Sequence, residues 1–184
     1  MDKHGFLRRL LAASAMLALA MAAACNRGAS SAAKKAAPAE NQVAHVGQPA
    51  PNWSEPTAPG GNLGLASLHG KAVYLNFFAT WCPPCNEEAP AIDALQRQYG
   101  PQGLQVVGVD VLENPRKAAL FRSQHHLSYP VVVDDGTLRD QYQINGLPVH
   151  VFIDRGGIVR AVVVGELSTD AMRTNVLRAL GASR

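Results

Sequence analysis

Cys82 and Cys85, three positions apart in Trp81-Cys82-Pro83-Pro84-Cys85, are the residues of this chain with the clearest capacity for chemistry. Thiols at that spacing at the start of a helix can close a small disulfide or open to a dithiol, which marks a redox protein. Cys82 falls just before the helix, where unpaired N–H groups carry partial positive charge and favour a thiolate, so it is the expected attacking sulfur. Cys85, a turn inside, is the expected resolving thiol that attacks the mixed disulfide and frees the substrate. Pro83 and Pro84 carry no N–H, and no histidine lies between the cysteines, so few groups stabilise the Cys82 thiolate. A poorly stabilised thiolate favours the disulfide and makes the reduced protein a reductant. A zinc site would need two further ligands recruited from histidines, and no metal is expected.

The elements that must hold this pair can be read from apolar spacing. Ala72–Phe78 is a near-continuous apolar run, as in a strand buried on both faces. A helix begins at Pro83, which a first turn accommodates, carries Ala89, Ile92, Leu95 and Tyr99 on one side, and closes at Gly100. Leu104–Val111 is the next strand, residues 115–126 the next helix with Ala118, Ala119, Phe121 and Leu127 inward, and 131–133 a short strand. Residues 137–142 form a turn or two of helix, and the stretches 149–153 and 158–164 flank Asp154-Arg155-Gly156-Gly157, a hairpin signal. Ser168 is the expected N-cap of a last helix carrying Met172, Val176, Leu177 and Leu180 and ending at Gly181.

Ahead of this domain, the 184-residue chain opens on a basic leader with Lys3, Arg8 and Arg9, then an uncharged run of fifteen residues from Leu10 to Ala24. That run is short of the roughly 20 apolar residues a membrane span needs, so residues 1–24 read as a cleaved signal peptide. Arg8-Arg9 fits a twin-arginine export motif poorly. Ala22-Ala23-Ala24-Cys25 resembles a lipobox with Cys25 as the lipidated new N-terminus; ordinary cleavage after Ala-x-Ala would instead leave Cys25 a free thiol. Residues 25–46 are Ala, Ser, Lys, Pro, Glu and Gln without apolar period, a disordered tether. Residues 47–184 suit one domain. Without the leader 14 basic and 13 acidic residues remain, and no basic patch with interleaved aromatics suggests nucleic acid.

The domain resembles the TlpA/ResA/CcmG group of bacterial extracytoplasmic thiol-disulfide oxidoreductases. The resemblance runs from Gly47-Gln48-Pro49-Ala50-Pro51 through Leu68-His69-Gly70-Lys71 and Leu75-Asn76-Phe77-Phe78-Ala79-Thr80-Trp81-Cys82-Pro83-Pro84-Cys85, with Glu88 and Pro90, to Gly146-Leu147-Pro148. It implies an α/β, thioredoxin-like fold, a central mixed β-sheet flanked by helices, with the dithiol at a helix N-terminus. It also implies a cis Pro148 facing that dithiol, which presents the Leu147 backbone to an incoming peptide and keeps metal off the thiols. Trp81, Leu147 and Pro148 are thus the expected substrate-binding residues, Trp81 either shielding the disulfide or capping the core. Thioredoxins proper carry a buried aspartate where Asn76 stands, so the proton acceptor for Cys85 is expected to be Glu88, which the group places near the dithiol. Glu87 reads as a complement to the first helical turn and Pro90 as a kink. His150 and Val149 stand where the group more often has small or hydroxyl residues. His150 reads as a strand histidine beside Phe152, with a tuning role open, and His125-His126 as a helix end at its negative pole.

The implied activity is reduction of disulfides in exported proteins, candidates being apocytochrome c before haem attachment and copper-site assembly proteins. Electrons would come from a membrane thiol transporter of the DsbD/CcdA kind. The protein would be a monomer with no cofactor beyond the Cys82/Cys85 pair, facing the periplasm on a lipid at Cys25 in the inner or outer membrane, or soluble there. Other readings are a disulfide oxidase or isomerase, distinguished by redox poise; a Sco-like copper chaperone, which predicts CxxxC and a distal histidine; and a peroxiredoxin, which shares the Gly-x-x-Ala-Pro opening but sets its cysteine in Thr-x-x-Cys.

Overall fold

The computed structural model describes residues 44–181. The leader, Cys25 and the tether as far as residue 43 lie outside the described residues. Ala44 is already packed, its N–H donating to Gln141 O at 2.9 Å and its side chain lying against the core, ahead of the boundary expected at Gly47.

The strand that delivers the cysteines is β3, Ala72–Phe78, and each of its residues is buried. Side chains alternate across a strand. Ala72, Tyr74 and Phe78 therefore enter one core and Val73, Leu75 and Phe77 the other. Around β3 stand β1 (Ser54–Ala58), β2 (Asn62–Gly64), β4 (Leu104–Val111), β5 (Val131–Asp134), β6 (Val149–Ile153) and β7 (Val159–Val164). The seven strands lie in the order β2-β1-β5-β4-β3-β6-β7. β3, β4 and β5 run parallel, whereas β6, β7, β1 and β2 join antiparallel, so the sheet is mixed.

Among the described residues four α-helices complete the domain: α1 (Pro83–Tyr99), α2 (Pro115–Gln124), α3 (Thr137–Gln141) and α4 (Thr169–Leu180). The first core takes Ile92, Leu95 and Tyr99 of α1, Ala118 and Phe121 of α2, and Met172 and Val176 of α4. The second takes Leu138 of α3 with Trp53, Leu68 and Tyr142. Ser168 caps α4, its Oγ accepting the Ala171 N–H at 3.3 Å, and Gly181 ends it at φ 77°, a left-handed conformation that glycine adopts without a Cβ penalty.

The hairpin β1–β2 has no counterpart in the sequence pattern. Its two segments, SEPTA and NLG, hold one large apolar side chain between them, Leu63; pairing with β5 makes them strands, a tertiary effect that propensity does not carry. Glu55 of β1 is buried, with carboxylate oxygens of Asp134 and Asp135 within 4.8 Å. Burial first, then those two charges, push Glu55 up to about 7. α2 stops at Gln124, short of the expected 126, because His126 turns to φ 51° and cannot continue a right-handed helix.

Candidate active site

Antiparallel pairing of β3 with β6, Phe77 opposite Val149, brings the segment after β3 and the residues before β6 to the same end of the sheet. The first carries Cys82, the second Leu147 and Pro148, joined by a cis peptide bond. Cys82 and Cys85 form a disulfide, Sγ–Sγ 2.05 Å. Cys82 is the N-cap of α1, with Pro83 and Pro84 as the first helical residues. Both cysteines are nearly covered, at 3% and 1% exposed, and pack with Ala79, Ala89 and the half-buried Leu147. The N–H of Asn86 is spent on Cys82 O at 3.2 Å. Among the first helical positions, only the Cys85 N–H therefore remains to face the sulfur of a reduced Cys82.

Glu88, one turn beyond Cys85, points the same way along α1 and is buried. Its Oε1 accepts the Leu167 N–H at 2.5 Å. Burial pushes its carboxyl up to about 7; the Leu167 N–H opposes the shift and the Glu166 charge adds to it. A carboxyl in that range exchanges protons near neutral pH, as an acceptor for a thiol must. Behind it stands His150, which β6 places opposite Asn76 of β3. The ring is wholly buried, with Nδ1 2.8 Å from Tyr74 Oη and Nε2 3.2 Å from Gly165 O and 3.5 Å from Glu88 Oε2. His150 is thus more than a strand histidine beside Phe152; its polar partners are Tyr74, Gly165 and, at longer range, Glu88. Burial holds it down at about 4, so it is neutral at working pH.

A second polar cluster fastens the segment between β3 and Cys82. Glu113 accepts the Thr80 N–H at 2.6 Å through Oε2 and the Thr80 hydroxyl at 2.9 Å through Oε1, and Lys117 Nζ lies 2.9 Å from Oε1. Burial alone would raise Glu113, but these donors outweigh it and hold the carboxyl below the usual range. Asp110, fully buried at the end of β4, is pushed up to about 8 by burial and by the neighbouring Glu113. Sequence reasoning missed both acids; the available signal was an aspartate closing an otherwise apolar strand. Asn86 Nδ2 donates to Thr80 O at 3.2 Å and Cys82 O at 2.8 Å, and its Oδ1 lies 3.0 Å from His125 Nε2. His125 therefore buttresses the active-site turn. Burial, then the adjacent His126, lowers its proton affinity, opposite to the effect expected at a negative helix pole.

Trp81 is 70% exposed, so it does not cap the core. With Val111, Leu112, Arg139, Ile144 and Leu147 it lines a groove of about 340 Å³. Trp81 and Leu147, the residues expected to meet substrate, thus line one surface. Glu87 is exposed and lies beyond the first turn, which holds no acid, and Pro90 stands inside the unbroken α1. Among the described residues one trio of acids, Glu55, Asp134 and Asp135, is close enough together to hold a metal ion; none of the three lies on β3, α1 or β6. No helix among the described residues is long and apolar enough to cross a membrane.

The AhpC/TSA family model matches residues 46–162. The thiol-disulfide oxidoreductase ResA of Bacillus cereus is 32% identical over 135 residues, covering 73% of this chain and 78% of that protein. Among solved structures, a thiol:disulfide interchange protein of the thioredoxin family from Chlorobium tepidum is 34% identical with a TM-score of 0.69, over 76% of this chain and all of that one. A peroxidoxin, BcpB, from Mycobacterium tuberculosis is 26% identical with a TM-score of 0.66, over 77% and 99%. With its mixed sheet, its helices and a disulfide at the start of α1, the chain belongs to the AhpC/TSA family and is a thioredoxin-fold thiol-disulfide oxidoreductase of the ResA kind.

Proposed function

We propose that the protein is a reductase that acts outside the cytoplasm on disulfides of exported proteins, apocytochrome c and copper-site assembly proteins being the candidate substrates. The observation that carries the direction is the α1 N-terminus, where Pro83 and Pro84 follow the N-cap Cys82 and remove two donors from the place where a thiolate would need them. In the reduced protein the Cys82 thiolate attacks a substrate disulfide, forming a mixed disulfide and expelling one substrate thiolate. Cys85 gives its proton to the Glu88 carboxylate and attacks Cys82 Sγ, closing the Cys82–Cys85 bond and releasing the second substrate thiol. Two electrons pass to the substrate, and a membrane dithiol donor of the DsbD/CcdA kind restores the pair. Trp81, Leu147 and Pro148 receive the peptide around the disulfide. No further cofactor takes part, the protein works as a monomer, and a lipid on Cys25 keeps it at the membrane.

The reduction potential of the Cys82/Cys85 pair, equilibrated against defined thiol buffers with a Cys82→Ser control, tests the direction. A value near thioredoxin, about 270 mV below zero, supports a dedicated reductant; one near roughly 120 mV below zero, the DsbA range, overturns it in favour of an oxidant. Peroxide consumption at the same dithiol concentration, which the peroxidoxin likeness makes worth measuring, is expected to be negligible.

A further inference from the structure

Glu88 keeps one oxygen bonded and the other not. Oε1 accepts the Leu167 N–H, whereas the buried Oε2 has no hydrogen bond. A buried acceptor left open needs an explanation, because it has given up water without a partner in return, a cost that grows when it is charged. His150 Nε2 lies 3.5 Å from it, too long for a hydrogen bond and well within reach of one after a small shift.

The donors behind the ring decide which nitrogen of His150 carries the proton. The Tyr74 hydroxyl lies 2.8 Å from Nδ1 and the Asn76 amide nitrogen, a donor only, 3.5 Å from the same atom. Nδ1 therefore accepts. Nε2 faces two acceptors, Gly165 O and Glu88 Oε2, so it carries the hydrogen. The ring is a neutral donor aimed between a carbonyl and a carboxyl. Burial disfavours its cationic form, so its influence on Glu88 is a hydrogen bond and not an ion pair.

We propose that His150 is a positioning residue for Glu88: its Nε2–H, kept in that tautomer by Tyr74 and Asn76, closes onto Oε2 when Glu88 ionises and holds the carboxylate ready for the Cys85 proton. The inference rests on Glu88 being the acceptor in the thiol-disulfide cycle. Catalytic hydrogen bonds that are long in a resting state tighten as charge develops, and the protein here is oxidised, with no Cys85 proton to move. The groups that face Glu88 and His150 are few: Tyr74 and Asn76 from β3, and Gly165 O, the Leu167 N–H and the Glu166 charge from the segment between β7 and α4. Among them Glu166 opposes the Glu88 charge. His150 Nε2 lies 3.5 Å from Oε2.

The experiment uses the Cys82 mixed disulfide with a small chromogenic thiol and follows its expulsion by Cys85 against pH. The wild-type rate is expected to inflect near neutrality, and His150→Thr to move the inflection upward by about one unit, slowing closure about fivefold at pH 7. In a Glu88→Gln background, His150→Thr is expected to change nothing further. If Glu88→Gln itself leaves the wild-type profile intact, the acceptor reading fails and the inference falls with it. If Glu88→Gln removes the inflection while His150→Thr leaves it in place, or slows closure equally with and without Glu88, the inference alone is overturned. Nitrogen-15 NMR of the wild-type ring, independent of any variant's folding, must show hydrogen on Nε2; hydrogen on Nδ1 or on both nitrogens overturns it as well.

Discussion

Two buried carboxyl groups border the segment that carries the disulfide, Glu88 on α1 and Asp110 at the end of β4, and both have proton affinities raised into the neutral range. Glu88 is met by neutral donors, the Leu167 N–H and, at longer range, His150 Nε2. Asp110 is met by Glu113, a second acid to which Thr80 and Lys117 have committed their hydrogens. The same chemical group under similar burial therefore does two jobs. Where the donors serve the buried acid itself, it can lose and regain a proton; where they serve its neighbour, the neighbour ionises and braces the chain while the buried acid stays protonated.

The largest effect that would break this contrast belongs to Glu88→Gln. It is expected to slow dithiol exchange at pH 7 by about a hundredfold, within the usual range for a lost general acid or base, while leaving chemical denaturation nearly unchanged; a stopped-flow trace and a urea curve check both. Glu113→Ala should do the reverse. Stranding the Thr80 N–H and freeing the turn costs about 2 to 3 kcal/mol, by the scale for hydrogen bonds to charged groups, visible as a lower urea midpoint with a smaller loss of rate. Should Glu113→Ala slow exchange more than Glu88→Gln, the division of labour is wrong.

Stability against pH sharpens the same point. Glu55, Glu88 and Asp110 all bind protons more tightly folded than unfolded. Their stabilisation is therefore complete below the ordinary carboxylate range and is lost as pH rises through about 7 to 8. Melting temperature should fall across that window, and Asp110→Asn or Glu55→Gln should flatten the fall, each raising Tm at pH 8.5 by about 2 to 4 °C if it recovers about 1 kcal/mol. The smallest expected change is Ser168→Ala, which removes the α4 cap for about 1 kcal/mol and, lying one residue beyond Leu167, shows whether the loop that serves Glu88 depends on the helix behind it.

The central sheet was legible because burial there writes itself as apolar runs: β3, β4 and β6 coincide with theirs. So was α4, whose Ser168 and Gly181 mark both ends by local chemistry. β1–β2 was not, because its strands exist through pairing with β5 and carry a buried glutamate where alternation would put an apolar side chain. In the site, Cys82, Cys85 and Glu88 share one helix and can be read from spacing and resemblance together. His150, Tyr74 and Gly165 come from three separate places in the chain, and Asp110 and Glu113 flank the turn after β4. Local pattern holds no trace of which strand lies beside which, and that adjacency is what gives His150 its neighbours.

The contrast between Trp81, 70% exposed and adjoining Cys82, and Trp53, 4% exposed in the second core, gives the protein two optical reporters at unlike depths. A disulfide quenches an indole held close to it, so Trp81 emission is expected to rise when the Cys82–Cys85 bond opens, a redox signal without a label. Trp53 emission follows the opening of the core. The chain has no other tryptophan, so a Trp53→Phe protein would carry a single tryptophan, beside the active-site pair, on which the exchange reactions described above could be timed directly.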